Sequence, residues 1–141
     1  MLGTPGSPKI VYIEGDYTVT GGNTGGGLLW VTGTLEFNGG SDWYGSLFAV
    51  GDGSFVRSGG GSGYIQGNVF VASISGPDGE MWTADDCSGP DGIPGNGDDG
   101  IGSGGSYDNS GGGDGDTGFC LPAIQQVSQL IPLRIVDFAQ R

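Results

Sequence analysis

Three glycines spaced eighteen residues apart, Gly15, Gly33 and Gly51, each close a short apolar segment. The segments are Ile10-Val11-Tyr12-Ile13-Glu14, Leu28-Leu29-Trp30-Val31-Thr32 and Ser46-Leu47-Phe48-Ala49-Val50. A fourth copy, Asn68-Val69-Phe70-Val71-Ala72-Ser73, follows after 22 residues and lacks the final Gly. Behind each glycine comes a second short strand: Asp16 to Thr20, Thr34 to Asn38, and Asp52 to Val56. One apolar strand cannot bury its own face. Stacked turns of chain place equivalent strands about 4.7–4.9 Å apart and build a continuous core. Glycine supplies the positive φ that sharp corners need. Alternation then sends Val, Ile, Leu, Phe and Trp inward and Thr, Glu, Asp and Asn outward. An antiparallel meander of hairpins is the rival reading, but hairpins need no fixed period. The expected fold is therefore mainly β: a short parallel β-solenoid of about four coils over residues 9–75.

Composition narrows the chemistry. The chain has 141 residues, the length of one domain, with 34 Gly, 16 acidic residues, four basic ones and no His. His-based triads, His general bases and His-containing zinc sites are thereby excluded. Collagen needs a strict three-residue glycine period, and there is none. A net charge of −12 argues against nucleic acid and anionic membrane surfaces as partners. No apolar run approaches the length of about 18 residues that spans a bilayer, so no membrane contact by this chain is expected. Residues 1–8 read as a flexible Pro/Gly-rich leader, the start of a fragment from which an anchoring N-terminal segment was removed.

Residues 76–118 form an acidic, glycine-rich insert. It holds 15 Gly and 10 of the 16 acidic residues, with no Lys or Arg. Within it, Gly76-Pro77-Asp78-Gly79 followed by Asp85-Asp86 repeats 13 residues later as Gly89-Pro90-Asp91-Gly92 followed by Asp98-Asp99. Carboxylates so crowded repel one another unless solvated or bridged by a cation. Calcium takes six to eight hard oxygen ligands, and Pro-Asp-Gly turns let several converge. The candidate ligands are Asp78, Asp85, Asp86, Asp91, Asn96, Asp98 and Asp99. Asp108, Asn109, Asp114 and Asp116 are further oxygen donors. The spacing is not that of an EF-hand. Gly100 to Gly105 fits a dinucleotide-binding pattern, but it follows an acidic run rather than a strand and reads as chance. Glu14, Asp16 and Glu36 sit on outward strand positions, where solvated charge is ordinary and a glycosidase pair is not expected.

The tail, 119–141, reads as a helix and a strand packed on the solenoid. Ile124, Val127 and Leu130 lie on one helical face behind Pro122, and Leu133 to Phe138 alternates. Trp30 and Phe48 read as core or coil-face residues. Trp43, Tyr44 and Trp82 stand beside glycine-rich turns, either packing loops onto the coils or exposed as contact points.

Gly27 to Phe37, then Tyr44 to Gly51, then Ile65 to Ala72, together with the closing Leu130 to Phe138, resemble the C-terminal domain of PilX-type pilus assembly proteins. These are minor-pilin-like components of bacterial type IV pili. The resemblance covers about residues 9–75 and 119–141, without the family's N-terminal apolar helix. It implies a non-enzymatic structural module, extracellular or on the bacterial surface or pilus. Its partners would be other pilins or pilus assembly proteins, with host or surface glycans as the alternative for a free-standing calcium-dependent adhesin or carbohydrate-binding domain. Export, which the resemblance and the acidic surface favour, would pair Cys87 with Cys120 in a disulfide across the insert, worth about 2–4 kcal/mol. With no His to activate it, Cys120 is not expected to be a nucleophile.

The calcium reading is tested by calorimetric titration. Heat should accompany Ca²⁺ addition, and a chelator should lower the melting temperature. Silence in both would remove the calcium site.

Overall fold

Strands of strict alternation, punctuated by glycine at an even period, can lie in register only if successive turns run the same way. The computed structural model has that arrangement. It describes residues 2–74, 105–112 and 116–119, together with Pro122, Ile124, Gln125 and Val127. The strands are β1 (Lys9–Ile13), β2 (Tyr17–Val19), β3 (Thr24–Val31), β4 (Thr34–Asn38), β5 (Asp42–Gly51), β6 (Ser54–Ser58), β7 (Tyr64–Ser73), β8 (Ser106–Asp108) and β9 (Asp116–Phe119). They form a five-stranded sheet, β1-β3-β5-β7-β9, and a four-stranded sheet, β2-β4-β6-β8. Every ladder between these strands is parallel, so the meander is excluded.

The register follows the repeat. Ile10 pairs with Leu28, Leu28 with Ser46, and Ser46 with Asn68. The corners stack as well: Thr32 N–H donates to Ile13 O at 3.1 Å, Gly33 N–H to Gly15 O at 3.0 Å and Asp52 N–H to Thr32 O at 2.8 Å. Side chains support the same corners. The Thr32 hydroxyl accepts from Gly15 N–H at 2.8 Å, and Asp16 Oδ1 accepts from Thr34 N–H at 2.7 Å.

The solenoid has roughly three turns rather than the expected four within residues 9–75. β1–β2, β3–β4 and β5–β6 complete three coils, and β7 opens another whose second strand is not the next segment of chain. The described chain follows the ladder as far as Ile74, whose N–H donates to Gly51 O at 2.8 Å, and is again in the ladder at Ser106, whose N–H donates to Gly53 O at 2.7 Å. The fourth copy lacks the corner glycine at Ser73, and it is at this corner that the acidic stretch is inserted. Loop-closure entropy grows only slowly with length, so a corner tolerates such an insertion. β8 and most of β9 fall within the 76–118 segment that the sequence reads as insert, yet they extend the two sheets.

The leader is tied to the coils. Thr4 and Ser7 exchange two backbone hydrogen bonds of 3.0 Å, and Gly26 N–H donates to Gly3 O at 3.0 Å. Leu2 packs against the core. The helix and strand expected over 119–141 lie outside the described residues except for Phe119, which ends β9, and four scattered positions. Of these, Val127 is buried. These four positions have helical backbone, but no continuous helix is among the elements of the described residues.

The core lies between the two sheets. Leu29, Val31, Trp43, Leu47, Ala49 and Ile65 meet Val19, Leu35, Phe37 and Phe55 across it. Burying each large apolar side chain contributes about 1.5–3 kcal/mol. Trp43 is the largest fully buried side chain and meets Phe37 edge-on, with ring centroids 6.4 Å apart. Its neighbour in the next strand is Gly25, where any side chain would collide with the indole. A second stacked column, Gly27–Gly45–Gly67, has φ values of +115°, +133° and +150°. A Cβ on any of the three would fall onto the carbonyl of the residue before it in the column.

Three stability predictions follow from the packing, all read from urea unfolding. Leu47→Ala should cost about 2–5 kcal/mol. Gly45→Ala should cost more than about 2 kcal/mol, because strain and collision add. Gly60→Ala, with open space around its Cβ, should stay within about 0.5 kcal/mol.

Candidate functional site

Alternation puts Val11 and Ile13 inside, so Tyr12 between them points outward, and the parallel register repeats that geometry in every coil. Tyr12 pairs with Trp30, Trp30 with Phe48, and Phe48 with Phe70. The outer face of the five-stranded sheet thus carries an unbroken column of four aromatic side chains. With strands about 4.8 Å apart, the column runs for roughly 14 Å.

The rings form one contact series. Tyr12 meets Trp30 with centroids 5.7 Å apart and planes at 82°, Trp30 meets Phe48 at 6.4 Å and 60°, and Phe48 meets Phe70 at 5.7 Å and 51°. Edge-on and tilted pairs are the favourable geometries for aromatic quadrupoles. Trp30 is also anchored: its Nε1–H donates to Val50 O at 3.2 Å. The end members are open to solvent, Tyr12 and Phe70 at 53% each, with Ile10 at 49% two residues before Tyr12 on β1. Next to the column, the Ser46 hydroxyl hydrogen-bonds Asn68 Oδ1 at 2.6 Å. The face therefore offers a rigid apolar stripe with a polar margin, held by a sheet rather than by loops.

The other candidates are distributed differently. Asp78, Asp85, Asp86, Asp91, Asn96, Asp98, Asp99, Cys87, Cys120, Asp114 and Trp82 lie outside the described residues. Asp108 ends β8, where its Oδ1 accepts from Ser110 N–H at 2.9 Å, and Asp116 begins β9. Among the described residues no three His, Cys, Asp or Glu side chains gather as a metal group would. Asp16 serves a corner, and Glu36 accepts from the Thr18 hydroxyl at 3.3 Å and the Ser58 hydroxyl at 2.6 Å, so both carboxylates are engaged in joining coils. Trp43 is fully buried and cannot be a surface contact. Trp30 and Phe48, read as core or coil face, stand on the coil face.

The aromatic column was legible and was missed. The third position of the four apolar segments is Tyr, Trp, Phe and Phe. Apolar character alone leaves Trp30 and Phe48 open between core and coil face, and only their parity relative to Val11, Ile13, Leu29 and Val31 places them outside.

No family model, no curated protein and no solved structure matches the chain.

Proposed function

We propose that the chain is a non-enzymatic cell-surface structural module, a PilX-like component of bacterial type IV pilus assembly or adhesion, and that it engages its partners through the Tyr12–Trp30–Phe48–Phe70 column. The observation that carries this reading is the column itself. Soluble chains rarely leave large apolar side chains contiguous on a flat face unless something docks there. Aromatic rings already locked by their neighbours lose little entropy on binding and are typical anchors of protein interfaces. The glycine-closed coils support the same reading, since they supply a stiff platform. The acidic stretch inserted at the Ile74–Ser106 corner would be its calcium-binding loop.

The column also favours a second reading, a free-standing calcium-dependent adhesin or carbohydrate-binding domain. Edge-exposed rings at strand spacing could stack on successive sugar faces.

The test is a double variant, Tyr12→Ser with Phe70→Ser. Both side chains are half exposed, so each change should move stability by no more than about 1 kcal/mol, checked by thermal melting. Binding to purified pilins, measured by surface plasmon resonance, should weaken at least about tenfold. Unchanged pilin binding would overturn the assembly reading. Glycan-array hits that vanish in the variant would select the carbohydrate reading.

A further inference from the structure

A second site lies away from the aromatic face, where β6 runs into the glycine-rich corner that follows it. Arg57 sits on β6 opposite Phe37 of β4, on the inward side of the four-stranded sheet. It is only 8% exposed. One guanidinium nitrogen, Nη2, donates to Gly63 O. The other, Nη1, is buried and has no hydrogen-bond partner. Among the described residues no carboxylate pairs with this side chain. A guanidinium cannot shed its proton at any ordinary pH. A buried charge without a counter-charge is strongly unfavourable, so the site is chemically unfinished.

Arg57 lines a cleft of about 110 Å³ together with Gly39, Ser58, Gly59, Gly61, Asn109 and Gly111. The volume suits one small group. Four of these six carry no side chain, which lets a ligand approach the main chain. Gly59 has a φ of +82°, a conformation that suits glycine and disfavours any replacement that would fill the cleft. Ser58, also at the cleft, has its hydroxyl within reach of Glu36 Oε1 at 2.6 Å and Asn38 Oδ1 at 2.5 Å. Among the described residues the guanidinium is the only cation lining the cleft, in a chain of net charge −12.

We propose that this cleft is a binding site for a monovalent carboxylate, held by the charge of the Arg57 guanidinium and the glycine-walled corner. A carboxylate supplies the missing counter-charge and accepts N–H donors on two oxygens. A single negative charge matches the single cation. A doubly charged phosphate would bring a surplus charge into a strongly acidic molecule, which disfavours it. The site is independent of the aromatic column and survives if the assembly reading fails.

The experiment is an amide NMR titration of the full chain with sodium acetate, run beside sodium chloride and sodium phosphate at equal ionic strength and pH 7. Acetate should shift the amides of Gly39, Gly59, Gly61 and Gly111 and the Arg57 Nε–H saturably, with an apparent Kd at least about tenfold below that of phosphate. Arg57→Gln should abolish the saturable acetate response. If that variant does not fold, the wild-type Arg57 Nε–H resonance decides alone. The proposal is overturned if acetate and chloride act alike, if phosphate binds as tightly as acetate, or if the response persists in folded Arg57→Gln.

Discussion

Parallel stacking in constant register is the interaction on which everything else in this molecule rests. Once Ile10, Leu28, Ser46 and Asn68 occupy one column, every other position of the coil is locked into a column of its own. Each column then imposes a single chemistry. The Leu29 and Val31 columns must be apolar because they face the opposite sheet. The Gly27–Gly45–Gly67 column must lack side chains because each Cβ would strike the preceding carbonyl. A one-residue slip would turn the core outward, which is why the register is so strongly specified.

The same constraint creates function from repetition. A lone exposed aromatic residue means little, but a period that returns one to the same outward position builds a continuous stripe. Trp30 gains rigidity from Tyr12 and Phe48 on either side and from the Val50 carbonyl. The interior uses aromatics for a different end. Phe37 and Phe55 meet as tilted rings at 6.0 Å and 32°, and Tyr107 of β8 stacks on Phe55 at 5.1 Å, with its plane within 15° of the Phe55 ring. The late strand β8 is thus joined to the early coils by ring contact as well as by its ladder.

Much of the fold could be read from the chain. Gly15, Gly33 and Gly51 do stand at corners, and the aligned segments do pair residue for residue. The reading fell short where a pattern was broken rather than repeated. Beyond Ile74 the period gives no hint that Ser106–Asp108 resumes the ladder, because a three-residue strand has too few positions to show alternation. Trp43 looked like a residue of a turn, yet it is buried because Gly25 in the neighbouring coil leaves room for its ring. Arg57 carries no sequence signal that marks it for burial. Its burial follows from its place opposite Phe37, on the inward side of β6.

By itself the sequence determined the period, the corners, the strand faces and hence a stacked β architecture, because these depend on local alternation and on where glycine permits a bend. Only the tertiary structure decided which way successive strands run and where the chain re-enters the ladder after its long insertion. It also decided that four aromatic rings meet on one outer face and that one guanidinium lies buried beside a glycine-walled cleft. Those features depend on contacts between residues 18 to 52 positions apart, and such contacts exist only once the coils are stacked.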